Sequence, residues 1–247
     1  MTQAGFSDHF SGHADSYAAH RPGYPQALFD WLARQCPRRQ CAWDCATGSG
    51  QAAGGIAPYF EHVVATDASS TQIDNAVPHV GVEYRVATAE DSGLRDSAID
   101  LITVAQALHW FDLPAFFAEV QRVTHEGAVI TAWSYERSKV NGDIDKTLEM
   151  IFDEVEAYWP PEREIVENRY RDIVLPGEPL TPPPFDMTVD WTADNMLAYL
   201  RTWSATRRYM ADRNADPVGL HEQALKDAWG DNAQTVHWPL TMLVSRL

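Results

Sequence analysis

Four polar residues stand where predicted strands end: Asp44, Asp67, Glu90 and Gln106. The first belongs to the run Trp43-Asp44-Cys45-Ala46-Thr47-Gly48-Ser49-Gly50-Gln51. It reads as the end of a buried strand, a carboxylate, then a small-residue loop opening a helix. Gly48 and Gly50 permit a tight turn and close approach of backbone to a ligand. The amides that follow sit at a helix N-terminus and need a partner. The spacing Gly48-x-Gly50-x-x-Ala53 also fits a dinucleotide fingerprint. Asp44 speaks against that reading, because a carboxylate at the mouth of the loop repels a pyrophosphate. It favours a ligand that is cationic and free of phosphate.

The same run resembles motif I of the class I S-adenosylmethionine-dependent methyltransferases, acidic-x-Gly-x-Gly-x-Gly, with Ala46 where the first glycine is usual. S-adenosylmethionine carries a sulfonium and an ammonium and no phosphate, in accord with Asp44. Alanine at 46 restricts the backbone there to φ < 0 in most cases. The resemblance implies that Asp44, Ala46, Thr47, Gly48, Gly50 and Gln51 hold the cofactor. Asp67 lies 23 residues beyond Asp44, one strand–helix–strand step. With Ala68 beside it, Asp67 either accepts the two ribose hydroxyls or is a turn residue. Ala89 and Glu90 match the family's adenine-holding loop, although Glu90 is otherwise a solvated acid. Gln106 and Ala107 follow the fourth strand and complete the set. The phrase Tyr17-Ala18-Ala19-His20-Arg21-Pro22-Gly23-Tyr24-Pro25 is similar to the N-terminal segment of methyltransferases related to trans-aconitate methyltransferases. That likeness implies that Tyr17 or Arg21 meets the methionine carboxylate; the alternative is a packing tyrosine and a surface arginine.

Methyl transfer from a sulfonium is an in-line displacement, with S-adenosylhomocysteine as product. Holding the acceptor close and aligned supplies ~7–11 kcal/mol. A general base is needed only where the acceptor keeps a proton near neutral pH. His109 is the nearest candidate, and its alternative is a structural or cofactor-shell histidine. Trp110 walls the cofactor or packs the next helix. Trp133, Tyr135, Trp203 and Tyr209 form an aromatic acceptor pocket or belong to the core. Arg201, Arg207 and Arg208 are candidates to meet an acidic acceptor. Glu154, Glu156, Glu162, Glu164 and Glu167 would oppose a polyanion, which counts against trans-aconitate itself. His9, His13 and His20 have no paired spacing, so no metal is expected.

Apolar periodicity supplies the elements that must hold these residues. Strands are expected at 41–45, 62–66, 82–87, 99–105 and 127–134, alternating with helices. Helical stripes run through Tyr24, Leu28, Trp31 and Leu32, and through Phe116, Phe117, Val120 and Val123 after a start at Asp112 and Pro114. A third joins Ile144, Leu148, Ile151, Phe152, Val155 and Tyr158, and a fourth Met196, Leu197, Leu200 and Trp203. Residues 160–184 read as ordered loop. Residues 185–191 and the alternation Val236, Trp238, Leu240, Met242, Val244 predict a terminal antiparallel pair, with Pro239 marking a bulge or a late start. The fold class is therefore α/β, a doubly wound, mostly parallel seven-stranded Rossmann-like methyltransferase sheet with helical lid insertions. Its expected parts are an arm and first helix over the cofactor (1–36), a cofactor-binding core (37–136), and lid insertions plus the last two strands (137–247).

Length and composition agree. The chain has 247 residues, 45% hydrophobic and 22% charged, enough for one large domain or a domain with insertions. A net charge of −16 disfavours nucleic acid as partner. No apolar run approaches the ~20 residues of a membrane span, and Met1 to Phe10 have no apolar signal core. Cys36, Cys41 and Cys45 are odd in number and lack CxxC spacing, as suits a reducing cytoplasm. The expectation is a cytoplasmic monomer or homodimer that methylates a small-molecule acceptor. Its rivals are a nicotinamide-dependent oxidoreductase and a cofactor-binding relative without turnover.

Overall fold

Alternate side chains of a strand face opposite sides of a sheet, and here both sides are covered. The computed structural model describes residues 22–247. In it β1 (Cys41–Cys45), β2 (His62–Asp67), β3 (Val82–Val86), β4 (Ile99–Ala105) and β5 (Thr124–Tyr135) run parallel in the spatial order β3-β2-β1-β4-β5. Ala42, Val63, Ala65, Leu101, Val129 and Trp133 bury one side against α1 (Gln26–Gln35) and α2 (Gln51–Ile56). A short helix, α3 (Ser70–Asp74), follows β2 and is capped by the Ser69 side chain. Trp43, Cys45, Ile102, Val104, Ile130 and Ala132 bury the other side against Phe116, Val120 and Val123 of α4 (Leu113–Val123). Asp112 caps α4 by accepting from the Ala115 amide, an arrangement worth about 1 kcal/mol. The strand order reverses between β1 and β4, and ligands of such sheets bind at the carboxyl ends there.

The chain then builds a helical layer. Its helices are α5 (Gly142–Glu154), α6 (Arg163–Glu167), α7 (Ala193–Arg201), α8 (Ser204–Arg213) and α9 (Glu222–Trp229). Ile144, Leu148 and Ile151 of α5, Met196, Leu197 and Leu200 of α7, and Leu225 and Trp229 of α9 share a core with Val236 and Trp238. That second pair lies on the last strand, which returns the chain to the sheet. The strands here are β6 (Glu178–Pro179), β7 (Asp186–Trp191) and β8 (Gln234–Arg246). β8 runs antiparallel to β5 from Leu240↔Tyr135 to Arg246↔Val129, while its first half pairs with β7. The result is the expected seven-stranded sheet with the two-residue β6 as an addition at the edge.

The differences from expectation have local causes. β5 begins at Thr124 rather than 127 because Ile99 pairs with Thr124 across an irregularity in the β4–β5 register. β8 starts before Pro239, but its ladder to β5 begins only at Leu240, where the missing N–H no longer matters. Residues 160–184 are not all loop: they hold α6 and β6. Before α9 begins at Glu222, Asp216 accepts from Arg201 and from the Val218 amide.

Candidate active site

The loop after β1 is held from beneath. Asp44 is 0% exposed, its Oδ1 accepting from Thr103 Oγ1 at 2.6 Å and its Oδ2 from Thr47 Oγ1 at 2.5 Å and the Ala53 amide at 3.0 Å. Burial pushes its carboxyl up to about 6, and the bonds to Thr103, Thr47 and Ala53 restrain that rise. The expectation that Asp44 sits at the mouth facing a cation is thereby corrected. Its carboxylate lies under the loop and ties β1 to β4 and to the first turn of α2.

The backbone above it is unusual in one place. Ala46 takes φ +55, contrary to the negative φ expected of an alanine there. Such a left-handed alanine costs roughly 1–2 kcal/mol. Gly48, at φ +54, has nothing within 4 Å of where a Cβ would stand. Gly50, at φ +83, would place its Cβ 2.4 Å from the Tyr84 hydroxyl. The two glycines thus have different jobs: Gly48 leaves the loop open outward, whereas Gly50 makes room for a side chain of β3. Tyr84, which no motif marked, donates to the Val77 carbonyl at 2.6 Å and closes that flank. Thr47 is buried, and Gln51 is exposed with its Nε2 3.2 Å from the Pro22 carbonyl.

Asp67 closes the second strand end. Its Oδ2 accepts from the Gly48 amide and its Oδ1 from the Ser69 amide, both at 2.9 Å, with Ala68 half-buried between. Ala89 is buried, and Glu90 receives the Asp112 amide at 3.1 Å, so the loop after β3 is fastened to the start of α4. Gln106 has φ +60, and its Nε2 is buried without a partner among the described residues. Its amide donates to the Trp133 carbonyl at 2.8 Å, and the buried Ala107 follows. Tyr17 and Arg21 lie outside the described residues.

His109 and Trp110 form a turn beyond Ala107, with ring centres 4.7 Å apart. His109 Nδ1 is 3.3 Å from the Tyr170 hydroxyl. Burial pulls the His109 imidazole down to about 4, helped by the positive charge of Arg163. A histidine so shifted is neutral and a weak proton acceptor at pH 7, which favours the structural alternative. Tyr170 is itself unexpected: it reaches the core from the segment after α6, where Arg169 and Tyr170 take φ +57 and +53 in succession.

At the carboxyl end of β5 a cavity of about 380 Å³ opens between Tyr135, α5, α6 and Trp203. Of the expected acceptor residues, Tyr135 and Trp203 line it. Trp133 does not: it is fully buried against Tyr24 and Phe29 on the α1 side of the sheet. An inward-pointing residue of β5 is core one position and site two positions later, a distinction that apolar pattern alone cannot draw. Arg207 sits on α8, one turn beyond Trp203, and is not in the lining. Arg201 is engaged by Asp216 and Glu222, and Tyr209 by Glu154. The arginines that do line the cavity are Arg137, Arg163 and Arg169, none of them marked by a motif.

A glycine loop over a buried carboxylate, an acid closing the second strand end, and this strand order define a Rossmann-like methyltransferase core. Residues 43–132 match the model of the methyltransferase domain family. A Dictyostelium discoideum protein named as a methyltransferase is 33% identical over 255 residues, spanning 99% of this chain and 97% of that one. A solved structure from Anaeromyxobacter dehalogenans, named as a type II methyltransferase, has 41% identity and a TM-score of 0.86 over 92% of this chain and 97% of its own. A Saccharomyces cerevisiae protein named as an S-adenosylmethionine-dependent methyltransferase is 27% identical over 47% of this chain and 43% of its own length. The chain belongs to the class I S-adenosylmethionine-dependent methyltransferases, and its cofactor is S-adenosylmethionine. The nicotinamide reading is set aside.

The residues present suit that cofactor. Open space over Gly48, an acid at the end of β2 and the orphaned Gln106 side-chain amide suit a ribose-bearing, phosphate-free molecule. No helix of the described residues is long and apolar enough to cross a membrane.

Proposed function

We propose that this enzyme methylates a small-molecule acceptor held in the cavity at the head of β5. The observation that carries the reading is the cavity's size, about 380 Å³, beside the strand ends at which such sheets bind ligands. In this reading Gly48, Asp67, Ala89, Glu90, Gln106 and Ala107 hold the cofactor, with Asp44 and Thr47 shaping the loop from beneath. Residues 1–36 cover the cofactor, 37–136 form the core, and 137–247 supply the lid and the last strands. Tyr17 and Arg21 belong to that cover, and the likeness to the trans-aconitate branch rests on their segment. The bound cofactor supplies an activated methyl group on a sulfonium. The chain contributes alignment, exclusion of water, and Tyr135 and Trp203 as walls for the acceptor. His109, held neutral, shapes the cofactor side of the pocket with Trp110 rather than removing a proton. The enzyme works in the cytoplasm as a monomer or homodimer, without nucleic acid or membrane as partner.

The test is a pair of calorimetric titrations, one with S-adenosylhomocysteine and one with NADH, followed by a small-molecule acceptor screen with methyl-labelled donor. Binding of S-adenosylhomocysteine alone, with label appearing in a small molecule, is the expected result. Label appearing only in added protein or nucleic acid would overturn the small-molecule assignment.

A further inference from the structure

We infer that the acceptor carries a single anionic group of the carboxylate class on an apolar or planar body, with Arg163 as that group's principal partner and Arg137 as the second. This rests on reading the cavity at the head of β5 as the acceptor site.

Phe152 and Trp203 line the cavity, and Trp159 packs against both. Phe152 and Trp159 stack with ring centres 5.8 Å apart, and Trp203 lies 6.1 Å and 5.5 Å from them. Two guanidinium groups rest on these rings: Arg137 lies 3.2 Å from the centre of Phe152, and Arg163 lies 3.9 Å from that of Trp159. A stacked guanidinium leaves its N–H edge available for a planar, bidentate acceptor. Here both groups turn to one oxygen, Glu167 Oε1, at 3.4 Å and 3.3 Å. Charge-assisted bonds are ordinarily about 2.7–2.9 Å, so neither cation is well matched. Burial already lowers the pKa of Arg163, which shows how poorly its charge is compensated. The Trp159 indole N–H beside it is buried without a partner among the described residues. Arg137 and Arg163 thus share a single long-range acceptor, Glu167 Oε1.

The remaining acids limit the guest. Glu136 is taken by Arg169 at 2.7 Å, and Asp145 accepts the Val140 amide at 2.8 Å. Glu149 and Glu167 are exposed. One negative charge placed against Arg163 displaces Glu167 and is matched, whereas a polyanion meets these carboxylates.

The experiment uses the full-length protein saturated with S-adenosylhomocysteine, whose own affinity is recorded in every titration. Tryptophan fluorescence follows the binding of benzoate, phenylacetate and octanoate against benzamide, phenylacetamide and octanamide, with citrate as the polyanion. At least one monocarboxylate should bind tenfold or more tightly than its amide and than citrate. Arg163→Gln should abolish that preference and Arg137→Gln reduce it several-fold. Glu167→Gln, by removing the competing carboxylate, should tighten the acid. Thermal melts of each variant confirm that it folds, and Arg163→Lys, which keeps the charge but not the fork, should retain part of the preference. Equal binding of acid and amide in every pair, or an intact preference in Arg163→Gln, would overturn the proposal while leaving the methyl-transfer reading in place. Failure of S-adenosylhomocysteine to bind would overturn both.

Discussion

Asp67 Oδ2 lies 2.9 Å from the amide nitrogen of Gly48, so the end of β2 holds the glycine loop that follows β1. The same carboxylate restrains its own turn through the Ser69 amide at 2.9 Å. One side chain therefore shapes two strand ends. Asp67→Ala should weaken S-adenosylhomocysteine binding by about 1.5–3 kcal/mol, the range for charge-assisted hydrogen bonds. Calorimetric titration reads this as a roughly 10- to 150-fold rise in Kd. An unchanged affinity would remove Asp67 from the site.

Ala46 offers a gain in stability. At φ +55 it is held where alanine is disfavoured by roughly 1–2 kcal/mol. Glycine removes that penalty, offset in part by the freedom it adds to the unfolded chain, roughly 0.4–1 kcal/mol. Ala46→Gly should therefore stabilise the fold by about 1 kcal/mol, raising Tm by roughly 2–4 °C. A fall in Tm by differential scanning calorimetry would show that the left-handed turn is not strained.

The sheet was legible because continuous apolar runs such as residues 99–105 mark strands buried on both sides, and the polar residue ending each run sets its carboxyl end. What those polar residues touch was not legible. Asp44 reads as a ligand contact until Thr103, 59 positions away, is seen to take its Oδ1. Gly50 reads as a cradle for a ligand until Tyr84 is seen over it. The cavity arginines lacked any signal, because Arg137 and Arg163 look like two charges among the many of an acidic insertion. Their meaning comes from Phe152 and Trp159 beneath them, brought there by tertiary packing.

His109 makes a pH prediction whose sign is fixed by burial. Its ordinary value near 6.5 falls to about 4 in the folded chain. Between those values the unfolded chain binds a proton that the folded chain refuses. Stability from this group is therefore complete above pH 6.5 and drains away as the pH falls to about 4, by up to roughly 3 kcal/mol. His109→Gln should flatten this part of the curve in a urea-denaturation series at pH 7, 6, 5 and 4. Parallel curves for the two proteins would sink the argument. Any acidic limb of the rate profile near pH 6.5 should survive in the variant, because His109 is already neutral there in the folded chain.

Asp100 carries the last prediction, at the amino ends of the strands, opposite the end that holds the site. Its side chain is fully buried, accepting from the Gln40 amide at 2.6 Å, the Cys41 amide at 2.9 Å and Arg38 Nε at 3.1 Å, with His125 Nε2 at 2.7 Å. Burial works against its charge, but the Cys41 amide, His125, the Gln40 amide and Arg38 together outweigh it and hold the carboxyl below its usual value. The chain thereby pins the start of β1 to β4 through one residue. Asp100→Asn replaces an acceptor with a donor facing these partners. It should cost about 2–3 kcal/mol at pH 7, a fall in Tm of roughly 5–10 °C. A carboxyl with a depressed folded value stabilises above its unfolded value near 3.9 and loses that contribution as the pH falls further. The gap between wild type and variant should accordingly be full at pH 7 and close below about pH 4. Arg38→Gln is the contrasting control: Arg38 is 50% exposed, and its loss should cost under about 1 kcal/mol. If the two variants prove equally mild at pH 7, the buried carboxylate is not what fastens these strands.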